Sequence, residues 1–200
     1  KVLEEYWAAG VKRIVALRGD PLEGIGAAYA PHEEGYAYAD DLIRGAKKIA
    51  DFDVSVGCYP ETHPEARSFS RDVDYFKQKV DAGANAAITQ YFYNVDAYFR
   101  FVDYCRSQDI DIPIVPGVMP ITNFDNLKRF SSRCGAEIPL WLGNRLKDFG
   151  DDTDGIRQFG IDIVTELCYD LLEGGAPGVH FYSMNLAKSV SQIWNNLSSQ

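Results

Sequence analysis

Ala86-Ala87-Ile88-Thr89-Gln90-Tyr91-Phe92 decides the fold. The run is nearly all apolar rather than alternating, the pattern of a strand covered on both faces of a parallel sheet. Just before it, Asp81-Ala82-Gly83-Ala84 closes a helix, with Gly83 suited to the left-handed conformation that ends helices. That helix carries Phe69, Val73, Phe76 and Val80 on one face. The segment after the strand repeats the spacing with Tyr98, Phe101, Val102 and Cys105.

Working outward, four more runs read as strands: Arg13-Ile14-Val15-Ala16-Leu17, Val54-Ser55-Val56-Gly57-Cys58, Ile112-Pro113-Ile114-Val115-Pro116 and Val179-His180-Phe181-Tyr182. Further helical faces are formed by Leu42, Ile43, Ala46, Ile49 and Ala50, and by Val164, Leu167, Cys168 and Leu171. The pattern is βα repeated about five times, with one helix leading in and another trailing out. Five such units fit an open doubly wound sheet, or part of an eight-stranded barrel that typically needs ~250 residues.

The 200 residues carry 29 acidic and 20 basic side chains, a net charge of −9. An unclustered acidic balance argues against a nucleic-acid groove or an anionic membrane surface as partner. No apolar run approaches the ~18 residues of a membrane span, and no secretory signal is read at Lys1. Cys58, Cys105, Cys134 and Cys168 lie tens of residues apart without a Cys-x-x-Cys pair, and His32, His63 and His180 are as scattered. Reduced structural thiols in a cytosolic protein are expected, and no metal.

In a parallel α/β protein the ligand lies at the C-terminal ends of the strands. There the chain reads Arg18-Gly19-Asp20, Tyr59-Pro60-Glu61-Thr62-His63-Pro64-Glu65, and Thr89-Gln90. An arginine can neutralise a phosphate, an aromatic can stack on a planar ring, and Gln90 can both donate and accept hydrogen bonds. A carboxylate such as Asp20 can stabilise a cation or tune a redox ring. The plain alternatives are a solvated turn for Arg-Gly-Asp and a backbone-satisfying role for Gln90. Gly24-Ile25-Gly26-Ala27-Ala28-Tyr29 begins like a dinucleotide fingerprint, but Tyr29 replaces its third glycine and the stretch lies far from Leu17. A Gly-rich loop is the better reading. A Schiff-base lysine, a Gly-x-Ser-x-Gly elbow and a metal triad are absent, which removes aldolase, hydrolase and metalloenzyme readings.

The motifs Ala16-Leu17-Arg18-Gly19-Asp20, Tyr59-Pro60-Glu61-Thr62-His63-Pro64-Glu65-Ala66 and Asp81-Ala82-Gly83-Ala84-Asn85 leading to Thr89-Gln90 strongly resemble the methylenetetrahydrofolate reductase family. Val115-Pro116-Gly117-Val118-Met119-Pro120 and His180-Phe181-Tyr182-Ser183-Met184-Asn185 continue the resemblance in the same order, from about Val11 to Asn195. It implies a (βα)8 TIM barrel holding FAD. Such an enzyme reduces 5,10-methylenetetrahydrofolate to 5-methyltetrahydrofolate with NADH or NADPH, one substrate leaving before the next arrives. FAD carries the hydride chemistry and the protein supplies orientation and electrostatics. The implied parent is a cytoplasmic homo-oligomeric flavoprotein of one-carbon metabolism. The 200 residues are then one catalytic-barrel domain comprising strands four to eight, with three N-terminal βα units expected to lie before Lys1. A non-catalytic flavin- or pterin-binding barrel is the alternative.

The resemblance also implies residue roles. Arg18, Gly19 and Asp20 lie along the flavin and its ribityl-phosphate chain. Tyr38 and Ala39 line the FAD channel, while Tyr59, His63 and Ala66 hold its middle and adenine side, with Asp72 and Lys79 on the next helix. Lys79 is a phosphate partner by resemblance and a solvated charge by default. Gln90 and Asp20 are the catalytic pair. Folate contacts fall on Asp20, Gln90, Asn126, Phe130 and Tyr182, although Phe130 equally fits the core spacing of Phe124 and Leu127. Where many relatives read Asn-Arg, this chain has Asn185-Leu186, so a basic contact is either missing or supplied from elsewhere.

Overall fold

The computed structural model describes residues 1–19 and 29–199. Its backbone is an α/β succession: α1 (Val2–Ala8), β1 (Arg13–Ala16), α2 (Ala39–Ile49), β2 (Asp53–Cys58), α3 (Phe69–Asp81), β3 (Ala86–Thr89) and α4 (Val95–Ser107). There follow β4 (Ile114–Val115), β5 (Gly117–Val118), α5 (Phe124–Cys134), α6 (Leu140–Asp148), α7 (Thr153–Glu173), β6 (His180–Phe181) and α8 (Ala187–Ser198). None of these helices is long and apolar enough to cross a membrane.

All the strand pairs are parallel. β1, β2, β3 and β4 form one sheet in that order, and β5 pairs with β6 in a second. The neighbours follow chain order with no reversal, whereas a doubly wound sheet turns back at a switch point. The expected strand ending at Pro116 is instead shared between the two sheets. Proline has no N–H to give a ladder, so pairing with β3 stops at Val115, while the Pro116 carbonyl accepts from His180 N–H at 2.9 Å. Gly117 then donates to the Thr89 hydroxyl at 2.8 Å, and the Tyr182 hydroxyl donates to the Thr89 carbonyl at 2.9 Å. Thr89, fully buried, thereby fastens one sheet to the other.

Helix ends follow local chemistry. Ser68, Asn94, Asn123 and Asp152 each cap a helix by accepting a backbone N–H from the first turn. Gly83, with φ +112°, carries the chain out of α3 as its position suggested. The core joins Ile43 and Ala46 of α2, Val54 and Val56 of β2, Val73 and Phe76 of α3, and Tyr98 and Phe101 of α4. Two expectations need correction. The run after Thr89 is not strand: Gln90 makes one more ladder bond, to the Cys58 carbonyl, and Tyr91 and Phe92 then turn into the core. Nor is every strand covered on both faces, since Val15 and Leu17 of the β1 segment are 54% and 61% exposed while Ala16 is buried. β1 has only β2 beside it among the described residues.

Candidate functional site

Parallel strands in register bring their C-terminal ends to one edge, and the polar residues singled out above collect there. Arg18 follows β1 and forms a two-pronged ion pair with Glu65, Nη1 to Oε2 at 2.5 Å and Nη2 to Oε1 at 3.0 Å. Its guanidinium also lies over the Tyr29 ring, 4.5 Å from the centroid. Arg18 is therefore not simply solvated. Gly19 is left-handed (φ +81°), and among the described residues nothing lies within 4 Å of where a Cβ would stand. Asp20 lies outside the described residues, as do residues 24–28 of the glycine-rich stretch.

The loop after β2 packs around His63. Its ring meets Tyr59 edge-on at 4.6 Å, its Nδ1 accepts the Glu65 backbone N–H at 3.0 Å, and the His63 backbone N–H donates to the Asp72 Oδ2 at 2.8 Å. Burial lowers the His63 pKa, against the pull of Asp72 and Glu65, while Arg18 and Lys79 push in the same direction as burial. Direct hydrogen bonds join Arg18 to Glu65 and His63 to both Glu65 and Asp72, which places these four in a single cluster. Burial likewise raises Asp72, and it raises Tyr59 to about 12. Ala66 is half-buried and closes this turn, its N–H on the His63 carbonyl.

Lys79 departs from the default of a solvated charge. Its side chain is half-buried, and Nζ donates to the Gly57 carbonyl at the end of β2, 2.6 Å away. Burial pulls its pKa down, opposed by Cys58, Asp72 and Asp40. A lysine held this way keeps two N–H donors and a charge for an anion. Tyr38 is 55% exposed and its ring lies 5.8 Å from Tyr29, so it borders the Arg18 end of the cluster; Ala39 is buried as the first residue of α2.

Gln90 uses its carbonyl oxygen on its own neighbour, the Tyr91 N–H, at 3.0 Å. What it has left to offer is its NH2 group. It borders a water-sized recess of about 10 Å³ together with Tyr59, Glu61 and Tyr91. Around the same edge, Asn126, Phe130 and Tyr182 line a cavity of about 180 Å³ with Met119, Leu186 and Arg129. Phe130 is half-buried, so it both packs on the core and faces this cavity. Tyr182, with its pKa raised by burial to about 12, spans to Thr89, the residue before Gln90. The two substrate groups expected from sequence are thus joined through one hydrogen bond.

Sequence reasoning missed three participants. Glu65 was visible only as a motif letter, and Tyr29 only as a failed glycine. Glu61 was likewise only a motif letter: Oε2 accepts the Glu137 N–H at 2.8 Å, and its buried Oε1 has no partner among the described residues. Burial raises its pKa. Beside it, Gly135 (φ +75°) lets the turn after α5 approach Pro64, which a side chain would meet at 2.9 Å.

Arg18 holds the Glu65 carboxyl below its ordinary value. The ion pair is therefore fully formed above the ordinary glutamate pKa and is lost as the pH falls through the lowered one. A carboxyl-carbon NMR titration should place the Glu65 midpoint below that of an unpaired glutamate, and Arg18→Gln should return it to the ordinary value. An unchanged midpoint in that variant would show that the pair does not form in solution.

A family model described as methylenetetrahydrofolate reductase matches residues 1–198. The chain is 40% identical over 196 residues to the 5,10-methylenetetrahydrofolate reductase of Escherichia coli (strain K12), covering 98% of this chain and 64% of that protein. It is 38% identical over 206 residues to the methylenetetrahydrofolate reductase (NADH) 1 of Zea mays, covering 98% of this chain and 35% of the maize protein. The chain thus spans just under two thirds of the bacterial relative's length. Among solved structures, an uncharacterized protein from Clostridium thermocellum that binds two copies of 5-methyl-5,6,7,8-tetrahydrofolic acid superposes with a TM-score of 0.59 at 19% identity. The alignment covers 94% of this chain and 72% of that one, a likeness of fold.

Proposed function

The chain belongs to the methylenetetrahydrofolate reductase family, and from that premise we propose that it forms the flavin- and folate-binding part of an oxidoreductase that converts 5,10-methylenetetrahydrofolate to 5-methyltetrahydrofolate with NADH or NADPH. The observation that carries this reading is the convergence of Asn126, Phe130 and Tyr182 on one cavity, with Tyr182 bonded to the residue before Gln90. The ordered parallel strands fit one arc of a TIM barrel, read as a single domain.

The residues at the strand ends fit FAD. Arg18 and Lys79 offer positive charge to its diphosphate, Tyr59 and His63 offer ring faces or edges to its flat parts, and Gly19, without a side chain, allows close approach. Tyr38, Ala39, Ala66 and Asp72 complete that wall. Bound there, FAD would accept hydride from the nicotinamide and deliver it to the folate. The protein's own part is orientation and charge. Gln90, with only N–H groups to spare, can donate to an acceptor on either substrate as each occupies the same place in turn. Asp20 contributes a carboxylate that favours positive charge on the folate. Phe130 and Tyr182 supply apolar and aromatic cover that keeps water from the reacting atoms.

The test is direct. The full-length protein carrying this chain should purify with FAD and turn over methylenetetrahydrofolate with NADH or NADPH. A flavin-free protein without turnover, even after FAD is supplied, would overturn the reading. Lys79→Ala and His63→Ala should each weaken FAD retention more than they slow turnover of the FAD-saturated enzyme, because both sit on the remote half of the proposed cofactor site. Loss of one hydrogen bond to a charged group predicts roughly tenfold weaker binding for Lys79→Ala. Equilibrium FAD titration by flavin fluorescence checks it, and unaltered affinity in both variants would remove them from the site.

A further inference from the structure

Among the described residues, Arg129 is the one charged side chain on the wall of the 180 Å³ cavity. It stands on the exposed side of α5, in a protein of net charge −9, and forms no ion pair among the described residues. Its Nη2 donates to the Asn126 Oδ1 at 2.8 Å, and its guanidinium lies 5.6 Å from the centre of the Phe130 ring. These two contacts aim a flexible side chain at the cavity instead of leaving it to wander in solvent. They also settle what the wall can offer. Asn126 accepts from Arg129 and keeps its NH2 group to donate, and the guanidinium has N–H groups only. Leu186 and Met119, which carry no charge, line the same cavity. The result is a cleft with apolar residues, an aromatic ring and a donor-rich corner bearing the only charge among the described residues.

We propose that Arg129 and Asn126 form an oxyanion-recognising corner of this cavity, with the guanidinium holding a carboxylate or phosphate at the far end of a ligand whose ring lies against Phe130 and Tyr182. A guanidinium fork matches either oxyanion in two-pronged geometry. The chemistry of the occupant rests on the functional reading above: the glutamyl carboxylates of folate and the phosphates of NAD(P)H are the two sources. The corner supplies a positive charge to the cavity that Leu186 also lines.

The experiment separates the sources and separates this inference from that reading. In the full-length enzyme, Arg129→Gln should raise the KM for methylenetetrahydrofolate about five- to twentyfold, the range of one lost hydrogen-bonded charge at a partly exposed site, with kcat changed little. Binding of a tetrahydropterin that lacks the benzoyl-glutamate should be untouched. Arg129→Lys, which keeps the charge without the fork, should fall between. A shift confined to the KM for NAD(P)H would identify the phosphate as the occupant and still support the corner. A second measurement needs no turnover: inorganic pyrophosphate should shift the Arg129 Nε–H resonance of the wild-type protein, and pyrophosphate binding followed by titration calorimetry should be lost in Arg129→Gln. Should the enzyme prove inactive toward folate while pyrophosphate still binds, the functional reading fails and the anion site stands. If no KM moves in a folded Arg129→Gln variant, or pyrophosphate leaves the resonance in place, Arg129 is an ordinary solvated charge and the inference is overturned.

Discussion

Gly117→Ala is expected to destabilise the protein by about 3 kcal/mol or more, at the upper end of what overpacking costs. A Cβ at this position would stand 2.2 Å from the Thr89 carbonyl oxygen and 2.5 Å from Cε2 of Tyr182. Neither obstacle can swing aside. The first is backbone in the middle of the sheet, and the second is a ring pinned by its hydroxyl to that same carbonyl. Relief requires β5 to move away from β3, which breaks the Gly117 N–H bond to the Thr89 hydroxyl and leaves buried polar groups unmatched. Gly57→Ala is the control. Among the described residues its new methyl would find only Leu17, at an ordinary contact distance of 3.6 Å, so its effect should stay below about 1 kcal/mol. Urea denaturation of both variants decides the matter, and equal midpoints would mean that the junction between the sheets is not as tight as described.

The second large effect concerns Gln90. Gln90→Glu keeps the shape of the side chain, and its oxygen can still receive the Tyr91 N–H, but an ionised carboxylate has no hydrogen to give a ligand. Where the amide donates, the variant places a negative charge facing an acceptor. KM should rise at least about tenfold, equivalent to ~1.4 kcal/mol, and it should rise for the folate and the nicotinamide nucleotide together. That joint rise is what the proposed role requires, a single donor serving two substrates that occupy one place in turn. Steady-state kinetics with each substrate varied separately is the measurement. A change in only one KM would sink the shared-donor role of Gln90.

Much of the fold was legible because it depends on local periodicity. The helix faces of Ile43 and Ala46, Val73 and Phe76, and Tyr98 and Phe101 are buried as their spacing required. What was not legible depends on distant partners. The first half of α7 went unread because Gly155 and Gly160 interrupt its pattern, yet Gly160 is there because the Ile121 carbonyl lies 2.3 Å from where its Cβ would be. Pro116 could be seen to end a ladder, but not that Gly117 and Val118 would take up a new one with β6. In the site, Arg18, Gly19, Tyr59, His63 and Gln90 were readable from their place at strand ends and from the family motifs. The burial of the Glu61 carboxyl depends on a residue 76 positions away, and the pairing of Arg18 on one 47 positions away. Spacing rules carry no information at that range.

The two hydrogen bonds that meet on Thr89 differ in a way their similar lengths conceal. One bridges 28 residues of chain and the other 93. Loop-closure entropy grows with the logarithm of the enclosed length, so the Tyr182 bond closes a loop that costs about 1 kcal/mol more than the one closed by Gly117. Each of β1 to β4 pairs with a strand adjacent in the chain, and Gly117 can join them with little further searching. The contact through Tyr182 has the longest way to come. Thr89 is thus a point where contacts between strands adjacent in the chain meet one from the C-terminal part that closes a far longer loop, and Gln90 is the next residue along.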